Sequence, residues 1–247
     1  MLATLGALER RLLKPIRKRS NAEPEPEPVP VATGRATVID VGEAFAGEAQ
    51  AQAWLEGAGE QQLSDDLAVL NRALHAFRLV TADPYVNVVT RHQALVARIG
   101  YGVGEEVADG QWTSARELTA ATGRRKRAEV LGPQARLAAV LNGRDRPLAC
   151  EELALRARLD LDQGREREAA LQVLVALDAA VAELAVDPGS AHALGDRLVE
   201  LRGQRDPIAI AAQAALAGAL PAADREAVQF TLGRIEAALR ARAVAKT

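Results

Sequence analysis

The chain has 247 residues, 49% of them hydrophobic, which is enough to build an apolar core for one large domain or two small ones. Aromatic residues make up only 3% of the chain, whereas alanine alone accounts for 52 residues, so we expect a core of Leu, Val and Ala between closely packed helices. The net charge of −2 and the pI near 6.0 argue against a protein that binds polyanions over its whole surface. Abundant alanine and an excess of arginine over lysine are typical of a GC-rich bacterial genome.

The single cysteine, Cys150, excludes an intramolecular disulfide and a metal site with several cysteine ligands, as expected in a reducing cytoplasm. The most apolar stretch, Ala169–Val186, comes nearest to a membrane span, but Asp178 and Glu183 interrupt it. Near the N-terminus, Glu9 and the two arginines after it break the apolar segment, so we do not expect a secretion signal. We predict a cytoplasmic protein.

Residues 1–20 form a basic amphipathic segment with a net charge of +5. Its leucines fall on one side of a predicted helix, and its basic residues lie mostly opposite or follow Pro15. These two sets are Leu2, Leu5, Leu8, Leu12 and Leu13, and Arg10, Arg11, Lys14, Arg17, Lys18 and Arg19. The pattern favours a flexible arm that lies on an anionic membrane surface, such as the inner membrane face, or docks into a partner protein. The alternative is a helix packed on the chain's own bundle.

Residues 21–34 form a linker rich in Pro and Glu, which we expect to be extended and to hold the arm away from the body. Residues 35–247 are predicted to form a single helical domain. In its first part, Thr37–Val41 suits either a short strand or an extended strip laid on the bundle. A helix is predicted over Glu43–Glu56, with Phe45 and Trp54 as anchors.

Two antiparallel helices are predicted next. The first begins near Ser64 and has an apolar stripe at steps of four and three residues, formed by Leu63, Leu67, Leu70, Leu74 and Phe77. The second begins at Asp83-Pro84 and has the stripe Tyr85, Val88, His92, Leu95 and Ile99.

The stretch 100–115 is rich in glycine, and we predict a loop that passes into a helix near Thr113–Ala121 in preference to a small hairpin. Within it, Tyr101 and Trp112 are candidate interface anchors, or they close one end of the bundle. The basic run Arg124–Arg127 could contact nucleic-acid phosphates, but such a run is more often a solvated helix start or loop, so we consider nucleic-acid binding unlikely.

Helices dominate the rest of the chain. Turn and cap signals predict helices from Pro133 to Asn142, Leu148–Gln163, Arg165–Val186, from Ser190 to Gly203, from Asp206 to Gly218, and Ala222–Ala243. The helix Arg165–Val186 is apolar on nearly every face, so it belongs in the centre. The predicted fold class is all-α, as a multi-helix bundle or an irregular array of helical hairpins.

The hairpin over residues 148–186 resembles a tetratricopeptide repeat unit. Small or apolar residues occupy the positions where that pattern needs them, at Ala157, Gly164, Ala169, Val173, Ala176 and Leu177. The chain departs from the pattern at Arg156, Asp160 and Val181. The resemblance implies a concave surface that binds peptides or other proteins.

No catalytic, metal-binding or cofactor-binding motif is present in the sequence, and we predict no cofactor. A candidate ligand groove combines residues that can hold an anion and move a proton: Asn71, His75, Arg78, Tyr85, Arg91 and His92. The alternative is a hydrogen-bonded core histidine at 92 with the remaining side chains at a solvated margin. The sequence thus favours a non-enzymatic interaction or adaptor protein with a protein partner, and second a small-ligand-binding or enzymatic bundle.

Overall fold

The computed structural model describes residues 2–5, 33–118, 134, 136–187 and 194–245. The chain divides into two compact units, Met1–Ala121 (the N-terminal unit) and Thr122–Thr247 (the C-terminal unit). The prediction of a single domain over residues 35–247 stays a prediction, because a division by contacts does not measure whether either unit folds alone.

The N-terminal unit combines two helices with two short antiparallel strand pairs. Its elements are β1 (Leu2–Leu5), β2 (Thr33–Ala36), α1 (Glu48–Gly57), α2 (Glu60–Thr81), β3 (Arg98–Tyr101) and β4 (Ser114–Glu117), with 3-10 turns at Arg91–Gln93 and Glu105–Asp109. Its small core lies between α1 and the β3–β4 hairpin and is formed by Leu55, Ala58, Ala97, Ile99 and Leu118, with Leu63 and Tyr101 packed against it.

Residues 2–5 are a strand, so the helix predicted there is wrong for these residues. β1 pairs with β2 in the register Leu2↔Ala36 to Leu5↔Thr33. The pairing satisfies backbone groups that a helix would have satisfied internally. It also brings the start of the chain beside the end of the linker, so residues 2–5 are not held away from the body. The rest of the arm, and the linker up to residue 32, lie outside the described residues.

The first helix of the predicted pair is confirmed as α2, which begins four residues earlier than expected. The leucines of its predicted stripe are only half-buried, Phe77 is exposed, and the one buried side chain on it is Asn71. The second helix is wrong. Asp83 accepts a hydrogen bond from the backbone N–H of Tyr85 at 2.9 Å, which makes a turn, and the chain then runs extended through a segment rich in Val. β-branched residues favour that extended conformation.

The glycine-rich stretch is a hairpin, and the helix predicted near Thr113 is wrong as far as residue 118. β3 pairs with β4 in the register Arg98↔Glu117 to Tyr101↔Ser114. A Cβ atom at Gly100 would lie 2.5 Å from the Ser114 carbonyl oxygen, so the close approach of β3 and β4 at this position requires glycine. The glycines that indicated a loop thus allow two strands to approach closely.

The C-terminal unit is a helical bundle, which confirms the all-α fold class. Residues 136–141 are helical, and the chain turns at Gly143 with φ +70°. Five further helices follow in the part of this unit that the structure describes: α3 (Ala149–Asp162), α4 (Glu166–Val186), α5 (Gly195–Gly203), α6 (Arg205–Ala217) and α7 (Ala222–Ala245). The predicted boundaries of α3, α4, α6 and α7 agree within a few residues, whereas the predicted cap at Ser190 lies outside the described residues.

α4 is the central helix, as its sequence predicts. It packs against α3, α5, α6 and α7, and it buries Ala169, Ala170, Val173, Ala176, Leu177, Ala180 and Leu184. It is not enclosed on every side, since Val175 and Val186 are exposed. Among the described helices α4 alone has the length and composition to cross a membrane, and core helices of soluble proteins share that property.

Candidate functional site

A groove runs between α3 and α7 in the C-terminal unit. It has a volume of about 420 Å³. Each helix contributes residues spaced as one helical face, namely Glu151, Ala154 and Leu155 from α3 and Glu236, Leu239, Arg240 and Ala243 from α7, and Arg136 completes the lining. We call this feature the α3–α7 groove.

The groove forms because each helix packs its most apolar face against the core. α3 buries Cys150, Ala154 and Ala157, and α7 buries Val228, Leu232, Ile235 and Ala238. The neighbouring face of each helix is left to line the groove, with Ala154 of α3 at the boundary between the two faces. Leu155 lies there with 67% of its surface exposed, so a large apolar side chain faces solvent between charged neighbours.

The carboxylates that line the groove are already paired with arginines of the same unit. Glu151 accepts two hydrogen bonds from Arg136, at 2.6 and 2.8 Å, and Glu236 accepts two from Arg158, at 2.8 and 3.1 Å. In the Arg158–Glu236 pair two nitrogens each donate to one oxygen, which fixes both side chains in position, whereas a single nitrogen of Arg136 donates to both oxygens of Glu151. Within the described residues, no carboxylate pairs with the exposed guanidinium of Arg240. The charge left for a partner on this rim is therefore positive.

A buried arginine lies beside one end of the groove. Arg242 is only 3% exposed, and its guanidinium lies 3.1 Å from Glu151, 3.2 Å from Asp187 and 3.8 Å from Asp145. Arg136 reaches the same Asp145 at 3.2 Å. A buried charge is tolerated only when it is paired and hydrogen-bonded, so these contacts tie the end of α7 to α3 and to the chain after α4.

The first turn of α3 is capped by a residue from α4. The Glu183 carboxylate accepts hydrogen bonds from the backbone N–H groups of Ala149 at 3.0 Å and Cys150 at 2.9 Å. Burial raises the pKa of Glu183, but these hydrogen bonds, with one from the Cys150 thiol and the nearby charge of Arg242, lower it to a net value below the ordinary one. Burial, and then the contact with Glu183, raises the pKa of the Cys150 thiol, which keeps it protonated and unreactive.

Two residues of the predicted ligand groove have structural partners. Asn71 bridges α2 to the extended segment: its amide donates to the Val89 carbonyl at 3.0 Å and accepts from the Val89 N–H at 2.8 Å. Arg91 donates to the Leu118 carbonyl at 2.6 Å. Both side chains therefore hold the N-terminal unit together.

The other four candidates do not share one described contact network. His75 is half-buried on α2, Arg78 is exposed near the end of that helix, Tyr85 is 85% exposed on the following turn, and His92 is exposed on the 3-10 turn. No group of His, Cys, Asp and Glu that could hold a metal ion occurs among the described residues. A ligand site at these positions stays a prediction.

Tyr101 belongs to an aromatic cluster in the N-terminal unit. Phe45 lies 5.6 Å from Trp54 and 5.9 Å from Tyr101 between ring centroids, in tilted and edge-on geometry. Phe45 thus links Trp54 of α1 to Tyr101 of the hairpin. Because α1 begins at Glu48, Phe45 lies before the helix and not within it, as the predicted range Glu43–Glu56 had it. Trp112 is half-buried beyond β3. An interface role for Tyr101 and Trp112 stays a prediction.

Other candidates lie outside the described residues: Leu8, Arg10, Arg11, Leu12, Lys14, Arg17, Lys18 and Arg19 of the arm, and the run Arg124–Arg127. For Leu5, the structure describes only its place in β1. Sequence reasoning did not find the α3–α7 groove. The sequence held one signal for the groove, because Leu155 and Leu159 lie off the buried stripe of α3. The residues of α7 that complete the lining are about 80 positions further along the chain, so the sequence alone does not connect them.

No known protein family, curated protein or solved structure matches this chain. The resemblance of residues 148–186 to a tetratricopeptide unit therefore stays a prediction from the sequence pattern.

Proposed function

We propose that this chain is a non-enzymatic interaction or adaptor protein, and that the α3–α7 groove binds a helix of a partner protein. The observation that carries the proposal is Leu155, an exposed leucine that lines a groove between two helices. Partner helices commonly lie in apolar grooves of this kind.

The groove suits a helix because of its shape. The lining residues of α7 stand at positions i, i+3, i+4 and i+7, and those of α3 at i, i+3 and i+4, so both walls run along helix axes. A third helix can pack its own side chains between these two rows. Covering Leu155 alone would contribute about 1–2 kcal/mol, given its exposed fraction and the free energy of burying a leucine side chain.

Site-specific photo-crosslinking in the native host tests this proposal. A photoreactive amino acid replaces Leu155 in the full-length chain, and the control carries it at Val199 on α5, which is 66% exposed against 67% for Leu155. We expect a discrete crosslinked adduct from position 155 and none from position 199. Identical crosslinking patterns from the two positions would refute the groove as a binding site.

We further propose that the basic segment within residues 1–20 attaches the protein to an anionic membrane surface or to the partner, which would place it in the cytoplasm or at the inner membrane face. The charge of +5 supports this proposal. Because β1 pairs with β2, the test keeps the chain intact and replaces the six basic residues with glutamine. Cosedimentation with vesicles of anionic lipid should fall in this variant, and unchanged cosedimentation would remove the arm from the proposal.

A further inference from the structure

We infer that the α3–α7 groove selects a partner helix that carries acidic residues beside its apolar stripe. This inference rests on the proposed function and names the chemistry of the partner. It follows from which charges in and around the groove already have partners and which do not.

The two carboxylates that line the groove are already neutralised by arginines of the C-terminal unit. Glu151 is held by Arg136 and by the buried Arg242, and Glu236 is held by Arg158. A basic partner would have to compete with these pairs, each of which is fixed by hydrogen bonds at 3.1 Å or less. Displacing a hydrogen-bonded pair leaves an arginine without its carboxylate, so a basic helix is disfavoured.

The available positive charges lie on the rim and beside it. Arg240 lines the groove, is exposed, and has no carboxylate partner among the described residues. Arg144 and Arg146 are also exposed, and they flank Asp145, whose own carboxylate is taken by Arg136. An arginine without a partner can bind a carboxylate at two points and at little cost, because nothing has to be displaced.

The lining of the groove sets where the acidic residues must be. An apolar stripe would cover Leu155 and Leu239, and Arg240 follows Leu239 on the adjoining rim of α7. A Glu flanking the stripe on the α7 side therefore meets Arg240. Because such pairs are exposed, they contribute more to the choice of partner than to the total affinity, and they weaken as salt is added.

Two synthetic probes test the inference directly. Each is a helical peptide of about 18 residues, or five turns, with the same Leu and Ala stripe and the same uncharged fluorophore. One carries Glu at all flanking positions and the other carries Lys. Binding to the full-length chain is followed by fluorescence anisotropy at low salt and again at high salt.

We expect the Glu peptide to bind at least about tenfold more tightly than the Lys peptide at low salt, with a smaller ratio at high salt. Arg240→Glu should remove most of that preference, and Leu155→Asp should weaken binding of both peptides. Val199→Asp is the matched control and should bind like the original chain. Circular dichroism of each variant checks that the helices are intact.

The outcomes separate the two claims. Equal binding of the two peptides, or tighter binding of the Lys peptide, overturns the charge preference while the groove remains a helix-binding site. If Leu155→Asp binds the Glu peptide as well as Val199→Asp does, the peptide lies elsewhere and the inference fails. If neither peptide binds and position 155 forms no crosslink in the host, both the inference and the proposed function are wrong.

Discussion

Replacement of the buried Arg242 with methionine should destabilise the C-terminal unit strongly. The side chain is 3% exposed and its guanidinium approaches Asp145, Glu151 and Asp187. Removing one member of a buried charge network typically costs about 3–5 kcal/mol, because buried carboxylates lose their counter-charge. Here we expect the lower end, about 3 kcal/mol, since Arg136 still pairs with two of the three carboxylates. The melting temperature should fall by roughly 6–12 °C.

The assay is urea unfolding of the full-length chain followed by far-UV circular dichroism, which reports mainly on the helices of the C-terminal unit. Trp54 and Trp112 both lie in the N-terminal unit, so tryptophan fluorescence follows that unit separately. The matched control is Arg205→Met. Its ion pair with Asp178 is shorter than any of the Arg242 pairs, at 2.6 Å, but the two side chains are 46% and 50% exposed. An exposed pair contributes at most about 1 kcal/mol. If Arg242→Met loses no more stability than Arg205→Met, burial does not set the strength of this network and the reasoning is refuted.

Three further substitutions, one of them with a matched control, test the contacts within each unit. Leu177→Ala, on the buried face of the central helix, should lower the free energy of unfolding in urea by about 2–5 kcal/mol. Its control, Val175→Ala on the exposed face, should change that free energy by less than about 0.5 kcal/mol. Similar losses in the two variants would show that the core does not lie on the Leu177 face. Asn71→Ala removes both hydrogen bonds to Val89 and should cost about 1–3 kcal/mol, measured by the tryptophan fluorescence transition; an unchanged midpoint would contradict the role of this bridge. Glu183→Gln should cost about 1 kcal/mol near neutral pH through the weakened cap. The folded pKa of Glu183 lies below its ordinary value of 4.5, so the stability that its carboxylate contributes is complete above that pH and is lost as the pH falls through the folded pKa. The difference in stability between Glu183→Gln and the original chain should therefore shrink in acid. A difference that grows in acid would contradict the role of the ionised carboxylate as the cap.

Local signals predicted the helices of the C-terminal unit well. Gly164 has φ +70° between α3 and α4, and Asp206-Pro207 lies in the first turn of α6, so residues near each boundary carry the conformational preference that ends or begins the helix. The apolar surface of α4 likewise indicated a central position before any partner was known.

Long-range contacts decide the features that were missed. Asp83-Pro84 matches the residue pattern of a helix N-terminus. The Asn71 side chain nevertheless binds the backbone of Val89, 18 residues away, and stabilises an extended chain there. β1 is a strand because it meets β2 beyond a long connection. Such pairings depend on residues far apart in the chain, and no local period predicts them.

The α3–α7 groove was missed for the same physical reason. The residues next to Leu155 in the sequence are a mixture of polar and apolar types, as on any surface helix. That Leu155 lines a groove is visible only in the folded chain, where Leu239 and Arg240 line the same groove. The pairing of Glu151 and Glu236 with arginines, which leaves the rim positive, also joins residues of different helices.

The central claim is that the α3–α7 groove binds a partner helix, and crosslinking from position 155 in competition with the Glu peptide tests it most directly. The account predicts an adduct from position 155 that excess Glu peptide suppresses, no corresponding adduct from position 199, and weaker suppression by the Lys peptide. The same adduct from both positions would contradict it, whereas an adduct from position 155 that the Glu peptide leaves unchanged would overturn only the inference of an acidic partner.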